Sequence, residues 1–297
     1  MLKGRLGLES ADVPQADRHG VLWFGRGRLV VEGGTLKFVT AGNADLEAGS
    51  YLVPYQMASA IVLQPGMTVT HDVLRLCASH GVALVAAGEG GVRFYATVLP
   101  LGPDRSTRAR RQARLWAAMD TRTYVARRMY AFRLGELFPD AEMAVLRGME
   151  GARAKENYKR IAREFGITWH GRRYDRAKPM AADVPNQAIN HASAAVVAAA
   201  QVAVAVSGTI PQLGFIHEES AIALALDIAD LFRDSITLPI AFGAVKARRG
   251  DRPLERVVRH HAGRTLRKQK VVATMIDRIK DLFDSEEDEE GGATSCP

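Results

Sequence analysis

Leu99-Pro-Leu-Gly-Pro-Asp-Arg-Ser106 divides this chain into two parts of different periodicity, and the fold class follows from what lies on either side of it. Its prolines lack the N–H that a helix or a ladder needs, and its glycine loosens the backbone. Residues 99–106 are therefore expected to link two domains. Upstream, residues 1–98 read as β-rich. Arg28–Glu32 and Thr35–Thr40 flank Gly33-Gly34, a pair that suits the left-handed backbone of a two-residue hairpin. Ala60–Leu63 and Val82–Ala86 are short apolar runs, and Val92–Val98 alternates after the turn Gly88-Glu-Gly-Gly91. One helix interrupts the strands: Thr70 is the expected N-cap, Val73, Leu76 and Cys77 share a face, and Gly81 stops it.

Downstream, residues 107–283 follow the helical period and show no strand pattern. Leu115, Met119 and Arg122 would share one face of a first long helix. Ala141–Phe165, Asn186–Val206 and Ser220–Phe232 follow, and Val257–Phe283 forms one or two more. The third helix is so rich in alanine that a buried core position is expected. Residues 284–297 are acidic and poor in apolar side chains, the composition of a disordered tail. The fold class is thus α+β, with a small β-rich domain before a larger all-helical one.

The chain has a hydrophobic fraction of 47% and a charged fraction of 25%, enough for two globular cores. Its net charge of +7 hides an asymmetry, because Asp284, Glu286, Glu287, Asp288, Glu289 and Glu290 are six of the 33 acidic residues. Residues 1–283 then carry 40 basic against 27 acidic side chains, a net +13. A body this basic is expected to meet a polyanion. Two arginine-rich stretches carry most of the charge, one over 105–133 and one over 246–270. Arg108, Arg111, Arg114, Arg248, Arg249 and Arg252 are the candidate DNA contacts, since the guanidinium fork matches phosphate. Aromatic residues among them are sparse (Trp116, Tyr124, Tyr130), which argues against a single-strand stacking platform. Cys77 and Cys296 are not expected to pair, and the N-terminus has no apolar signal region, so a cytoplasmic protein is expected. No phosphate loop, GxGxxG after a strand, CxxC, HExxH or GxSxG occurs, so nucleotide hydrolysis, dinucleotide redox, zinc-finger and serine-esterase chemistry lack their signatures.

Two stretches could carry chemistry. In Leu146-Arg-Gly-Met-Glu-Gly-Ala-Arg153, Glu150 stands between glycines that each cost a helix about 1 kcal/mol relative to alanine, which points to close approach of a backbone or a ligand. In the second, Gly214-Phe-Ile-His217 precedes a helix with Asp227 and Asp230 on one face among apolar residues. Carboxylates there are expensive to bury unless paired with cations or a metal. Imidazole with carboxylates suits Mg²⁺ or Mn²⁺. Read singly, Glu150 fits a solvated helix carboxylate and His217 a structural histidine; together with the aspartates they form a candidate one-metal set.

These residues resemble the integrase of CRISPR adaptation, the larger of its two universal proteins, and most closely the type I-E branch. The resemblance covers about residues 17–283. Its carriers are Gly27-Arg-Leu29, Glu32-Gly-Gly34, Thr70-His-Asp-Val-Leu-Arg-Leu76, Gly88-Glu-Gly-Gly-Val-Arg93, Leu146-Arg-Gly-Met-Glu-Gly-Ala-Arg153, Leu213-Gly-Phe-Ile-His217 and Asp227-Ile-Ala-Asp-Leu231. It implies a β-sandwich domain followed by a helical catalytic domain, and a homodimer that works with the second, smaller adaptation protein. It further implies a metal-dependent DNA endonuclease/integrase that inserts prespacer DNA into the CRISPR repeat by 3′-hydroxyl attack. Glu150, His217 and Asp230 would hold the metal, with Asp227 part of the active site. A branched-DNA nuclease and a non-catalytic DNA-binding scaffold are the alternatives. One departure stands out: Glu218-Glu219 follows His217 where a neutral or basic pair is expected. These acids would raise the His217 pKa, recruit a second ion or face solvent.

Overall fold

The computed structural model describes residues 20–43, 46–98, 106–173 and 182–284, which fall into two compact units, residues 1–105 and 106–297. The expected linker at 99–106, except Ser106, and the acidic tail beyond Asp284 lie outside the described residues.

The first unit holds two four-stranded sheets. Its strands are β1 (Gly20–Phe24), β2 (Gly27–Glu32), β3 (Thr35–Thr40), β4 (Gly49–Leu52), β5 (Ala58–Leu63), β6 (Met67–Val69), β7 (Ala83–Ala87) and β8 (Phe94–Val98). One sheet runs β1-β5-β7-β8 and the other β4-β3-β2-β6. The Gly33-Gly34 turn forms as expected: both glycines take positive φ (60° and 78°), and Glu32 pairs with Thr35 across the hairpin. Along β3 burial alternates, with Leu36 and Phe38 inward. β5, flanked in parallel by β1 and β7, is buried from Ala58 to Val62 and apolar but for Ser59, as suits a strand buried on both faces. The core joins Leu29, Leu36 and Phe38 of one sheet to Ile61 and Leu84 of the other. Helix α1 (His71–Ser79) adds Val73, Leu76 and Cys77. Thr70 is its N-cap by position, but its hydroxyl makes no capping bond and is buried without a partner. Burial pushes the Cys77 thiol up to about 12, so it is chemically quiet.

The second unit is helical, with no strand among its described residues. The expected first long helix is two helices, α2 (Ser106–Ala117) and α3 (Met119–Leu134), because Ala118 takes an extended backbone (φ −99°, ψ 134°). The Thr121 hydroxyl donates to the Leu115 carbonyl (2.8 Å), which the break would otherwise strand, and also to the Ala118 carbonyl (3.1 Å), which already accepts the Arg122 N–H at 2.9 Å. Leu115 is buried while Met119 is 70% exposed, so the shared face with Arg122 does not exist. Helix α4 spans Met143–Phe165 and α5 Val184–Ser207, whose N-cap Asp183 accepts from Asn186 N–H at 3.0 Å. α5 is long and apolar enough to cross a bilayer by composition, but 61% of that window is buried within the protein. It packs against α6 (Ala223–Leu231), α7 (Leu238–Ala247), α8 (Leu254–Lys268) and α9 (Val271–Phe283), which is the expected core position. The helix expected over Ser220–Phe232 is shorter, and α7 has no counterpart in the sequence reading. A π-helical turn, Arg233–Thr237, joins α6 to α7 ahead of Pro239, which has no N–H to continue a regular ladder.

Candidate functional site

The Leu213–His217 stretch is held from three sides. Gln112 of α2 is fully buried and uses its whole amide: Nε2 donates to the carbonyls of Ile210 (2.9 Å) and Leu213 (2.8 Å), and Oε1 accepts from Ile210 N–H (2.7 Å). Trp116 Nε1 donates to the Gly214 carbonyl at 2.9 Å. Gly214 must be glycine, because a Cβ there would stand 2.2 Å from the His217 carbonyl oxygen. Asp227 of α6 closes the third side. Its Oδ2 accepts from the N–H groups of Phe215 (2.6 Å) and Ile216 (3.1 Å), and its Oδ1 accepts from the His217 N–H (2.9 Å) and faces His217 Nδ1 at 2.7 Å. Asp227 is fully buried, and these donors are what make a carboxylate tolerable there. The hydrogen bond to Asp227 raises the His217 pKa above 6.5. Burial opposes this, the charges of Asp227 and Asp230 add to it, and Arg233 acts against it.

Glu218 and Glu219 are exposed, and Glu218 forms an ion pair with Arg122 of α3 at 2.6 Å. Arg122 in turn lies over the Trp116 ring, 4.6 Å from its centre. The departure seen in sequence is thus anchored to the same α2–α3 corner that holds the loop.

Asp230 lies one turn past Asp227 but in a different setting. It pairs with Arg233 and, at 3.9 Å, with Arg133 of α3. Burial alone would lower the Arg233 pKa; Asp230 and Tyr158 carry it above the usual arginine value instead. Arg133 also binds Glu150 of α4 at 2.5 Å. Two carboxylates distant in sequence therefore meet one guanidinium. Among the described residues no three His, Cys, Asp or Glu side chains are already grouped as a metal site. The donor chemistry nevertheless fits a divalent cation. Glu150 and Asp230 already share one positive group, and Asp227 engages Nδ1 of His217, so Nε2 is the ring atom that could face a cation, as in the arrangement common to metal-binding histidines.

Gly148 and Gly151 do not owe their presence to a close neighbour within the chain, since a Cβ at either would meet nothing within 4 Å. Gly148→Ala and Gly151→Ala are expected to stabilise the free protein by about 1 kcal/mol each through helix propensity. Chemical denaturation of the two variants checks this, and a lower midpoint in either would show strain that the open space does not reveal.

The arginine-rich stretch over 105–133 is divided in its tasks. Arg108 binds the Asp284 carboxylate through Nε (2.9 Å) and a terminal nitrogen (2.5 Å), and its other terminal nitrogen donates to the Ser207 carbonyl at 2.7 Å. It tethers the ends of α5 and α9. Arg127 and Arg128 donate to the carbonyls of Ala141 and Asp281. Arg111 is half-buried, whereas Arg114 is exposed. In the second stretch, Arg249 and Arg252 are exposed, and Arg248 Nε donates to the Arg252 carbonyl at 3.1 Å. Gln112, Trp116 and Arg233 carry no site role readable from the sequence, where Arg133 reads only as basic charge and Arg122 as basic charge on a helix face. Nothing in their spacing marks them.

The family model for "CRISPR associated protein Cas1" matches residues 133–253, the segment that contains Arg133, Glu150, His217, Asp227 and Asp230. The chain is 35% identical over 272 residues to "CRISPR-associated endonuclease Cas1 3" of Methanospirillum hungatei, covering 91% of this chain and 88% of that protein. It is 34% identical to "CRISPR-associated endonuclease Cas1" of Escherichia coli K12, with 91% and 87% covered. Among solved structures, the crystal structure of a TtCas1–DNA complex superposes with a TM-score of 0.79 at 31% identity, covering 92% of this chain and 99% of that one. A casposase bound to integration product shares the fold, with a TM-score of 0.62 at 16% identity and coverage of 90% and 96%.

Proposed function

We propose that this chain, which belongs to the CRISPR-associated Cas1 family, is a metal-dependent DNA endonuclease/integrase that joins prespacer 3′-hydroxyl ends to phosphodiesters at the edge of a CRISPR repeat. The observation that carries the reading is the convergence of Glu150 and Asp230 on one cation, beside a histidine fixed by a buried carboxylate. A DNA complex among the structural relatives supports nucleic acid as the partner.

Glu150, His217 and Asp230 would hold Mg²⁺ or Mn²⁺, and such an ion supplies Lewis-acid stabilisation of the charge that develops on the phosphoryl oxygens. Asp227 sets the His217 tautomer: with the Nδ1 proton on the Asp227 side, the neutral ring presents the Nε2 lone pair. The clamp from Gln112, Trp116 and Asp227 holds the ring in place before substrate arrives. Arg114, Arg249 and Arg252 are exposed and able to meet phosphates, and the bare face at Gly148 and Gly151 would let a DNA backbone approach Glu150. The attacking group is the DNA 3′-hydroxyl and the leaving group is the 3′-oxygen of the cut strand, so no protein–DNA covalent bond forms. A homodimer acting with the smaller adaptation protein belongs to the same reading.

The test is strand transfer of a labelled 3′-hydroxyl duplex into a repeat-bearing plasmid, with and without Mn²⁺ and the smaller protein. Metal-dependent joined product is expected. Cleavage without joining would replace the reading with a nuclease, and DNA binding with neither product would leave a scaffold.

A further inference from the structure

Glu150 and Asp230 carry the proposed site, and the charge that meets them in this structure is arginine. Arg133 reaches from α3 with one terminal nitrogen 2.5 Å from Glu150 Oε1 and the other 3.9 Å from Asp230 Oδ2. Its side chain is 11% exposed and each carboxylate 24%, so the cluster is largely withdrawn from water, where an unpaired carboxylate is costly. One guanidinium that spans two acids from different helices takes the position that a cation shared by them would take. Arg233 differs, since its partners are Asp230 and Tyr158.

Resting on the reading of Glu150, His217 and Asp230 as metal ligands, we propose that Arg133 and a divalent cation occupy these carboxylates in competition. Arg133 holds the pair together in the metal-free protein and sets the metal concentration needed to fill the site. The competition follows from charge. A divalent ion placed beside Arg133 and Arg233 would set four positive charges against two carboxylates at ion-pair range, and repulsion at that distance in a largely desolvated site displaces the group whose place the ion takes. Arg133 stands in that place because it spans both acids, whereas Arg233 engages Asp230 and Tyr158; the helix backbones that carry the carboxylates stay.

The experiment is Mn²⁺ titration of the metal-stripped full chain, with free Mn²⁺ read by electron paramagnetic resonance. It compares wild type with Arg133→Gln, Arg133→Lys, Glu150→Gln and His217→Ala. Arg133→Gln is expected to bind Mn²⁺ about tenfold more tightly than wild type, the equivalent of about 1.4 kcal/mol. Arg133→Lys should fall between, because an ammonium cannot span both acids as the planar fork does. In melts, metal-free Arg133→Gln should unfold below wild type and Mn²⁺ should narrow the gap. Equal or weaker Mn²⁺ binding by Arg133→Gln, with binding lost in Glu150→Gln, would overturn the competition and leave the ligand assignment standing. Wild-type Mn²⁺ binding by both Glu150→Gln and His217→Ala would overturn the ligand assignment, and the competition with it. Should Arg133→Gln fail to fold without metal, the lysine variant decides: tighter binding supports the proposal, and equal or weaker binding overturns it.

Discussion

Asp227→Asn is expected to lower the melting temperature by about 10 °C, from a loss of about 4 kcal/mol in a helical unit of this size. The carboxylate is fully buried and accepts from three backbone N–H groups and faces the His217 ring. Asparagine keeps the volume but not the charge, and it replaces one acceptor oxygen by a donor. If the amide oxygen serves Phe215 and Ile216, the amide nitrogen is set against the His217 N–H, donor against donor. If it is turned the other way, the Phe215 and Ile216 N–H groups are left buried without acceptors. Each orphaned group costs about 1–3 kcal/mol, and the loss of ionic character adds to that. The first orientation also makes Nδ1 accept a hydrogen bond from the amide N–H, which favours the tautomer with the ring proton on Nε2 and removes the lone pair a cation needs. The substitution should therefore damage stability and activity together. A melting temperature within 2 °C of wild type would mean that the loop is held by Gln112 and Trp116 without help from Asp227.

The division of labour between the two aspartates is where the sequence reading reached its limit. Their spacing placed both on one face of α6 among apolar residues, and this correctly signalled carboxylates that need partners. It could not say that Asp227 is satisfied by the backbone of the preceding loop, because the turn at Gly214 that folds the loop back over α6 comes from a close approach with no periodicity. The hairpin at Gly33-Gly34 and the alanine-rich core helix were legible because local pattern and tertiary environment agree there. The break at Ala118 was not, since alanine favours helix and it is the tertiary clamp of α2 on the 210–214 loop, with Thr121 serving the freed Leu115 carbonyl, that overrides it. Likewise neither α7 nor the π-helical turn that lets it follow α6 directly was read from the sequence, since Pro239 sits at the start of α7 and breaks the local helical pattern. The arginine-rich stretch over 105–133 announced charge without its destination: Arg108, Arg122 and Arg133 meet Asp284, Glu218 and Glu150, acids that lie far along the chain.

His217→Ala separates chemistry from stability in a way Asp227→Asn cannot. The imidazole is 39% exposed and its resolved polar partner is Asp227, which in the variant still accepts the backbone N–H of residue 217. The fold should lose about 1 kcal/mol, the scale of one hydrogen bond. Metal-dependent strand transfer should fall by about a thousandfold or more, a barrier increase of about 4 kcal/mol. Because Asp227 holds the wild-type ring protonated above 6.5, two pH effects follow. Stability from the charged His217–Asp227 pair is complete below 6.5 and is lost as pH rises through the raised folded value, a slope that His217→Ala should flatten in metal-free melts. Strand transfer should move the other way and climb through the same window, as the ring gives up its proton and frees Nε2. Residues that act as a unit are non-additive, so His217→Ala should cost little further activity in the Asp227→Asn background. Full additivity of the two losses would show that Asp227 reaches the chemistry by some route other than the histidine it holds.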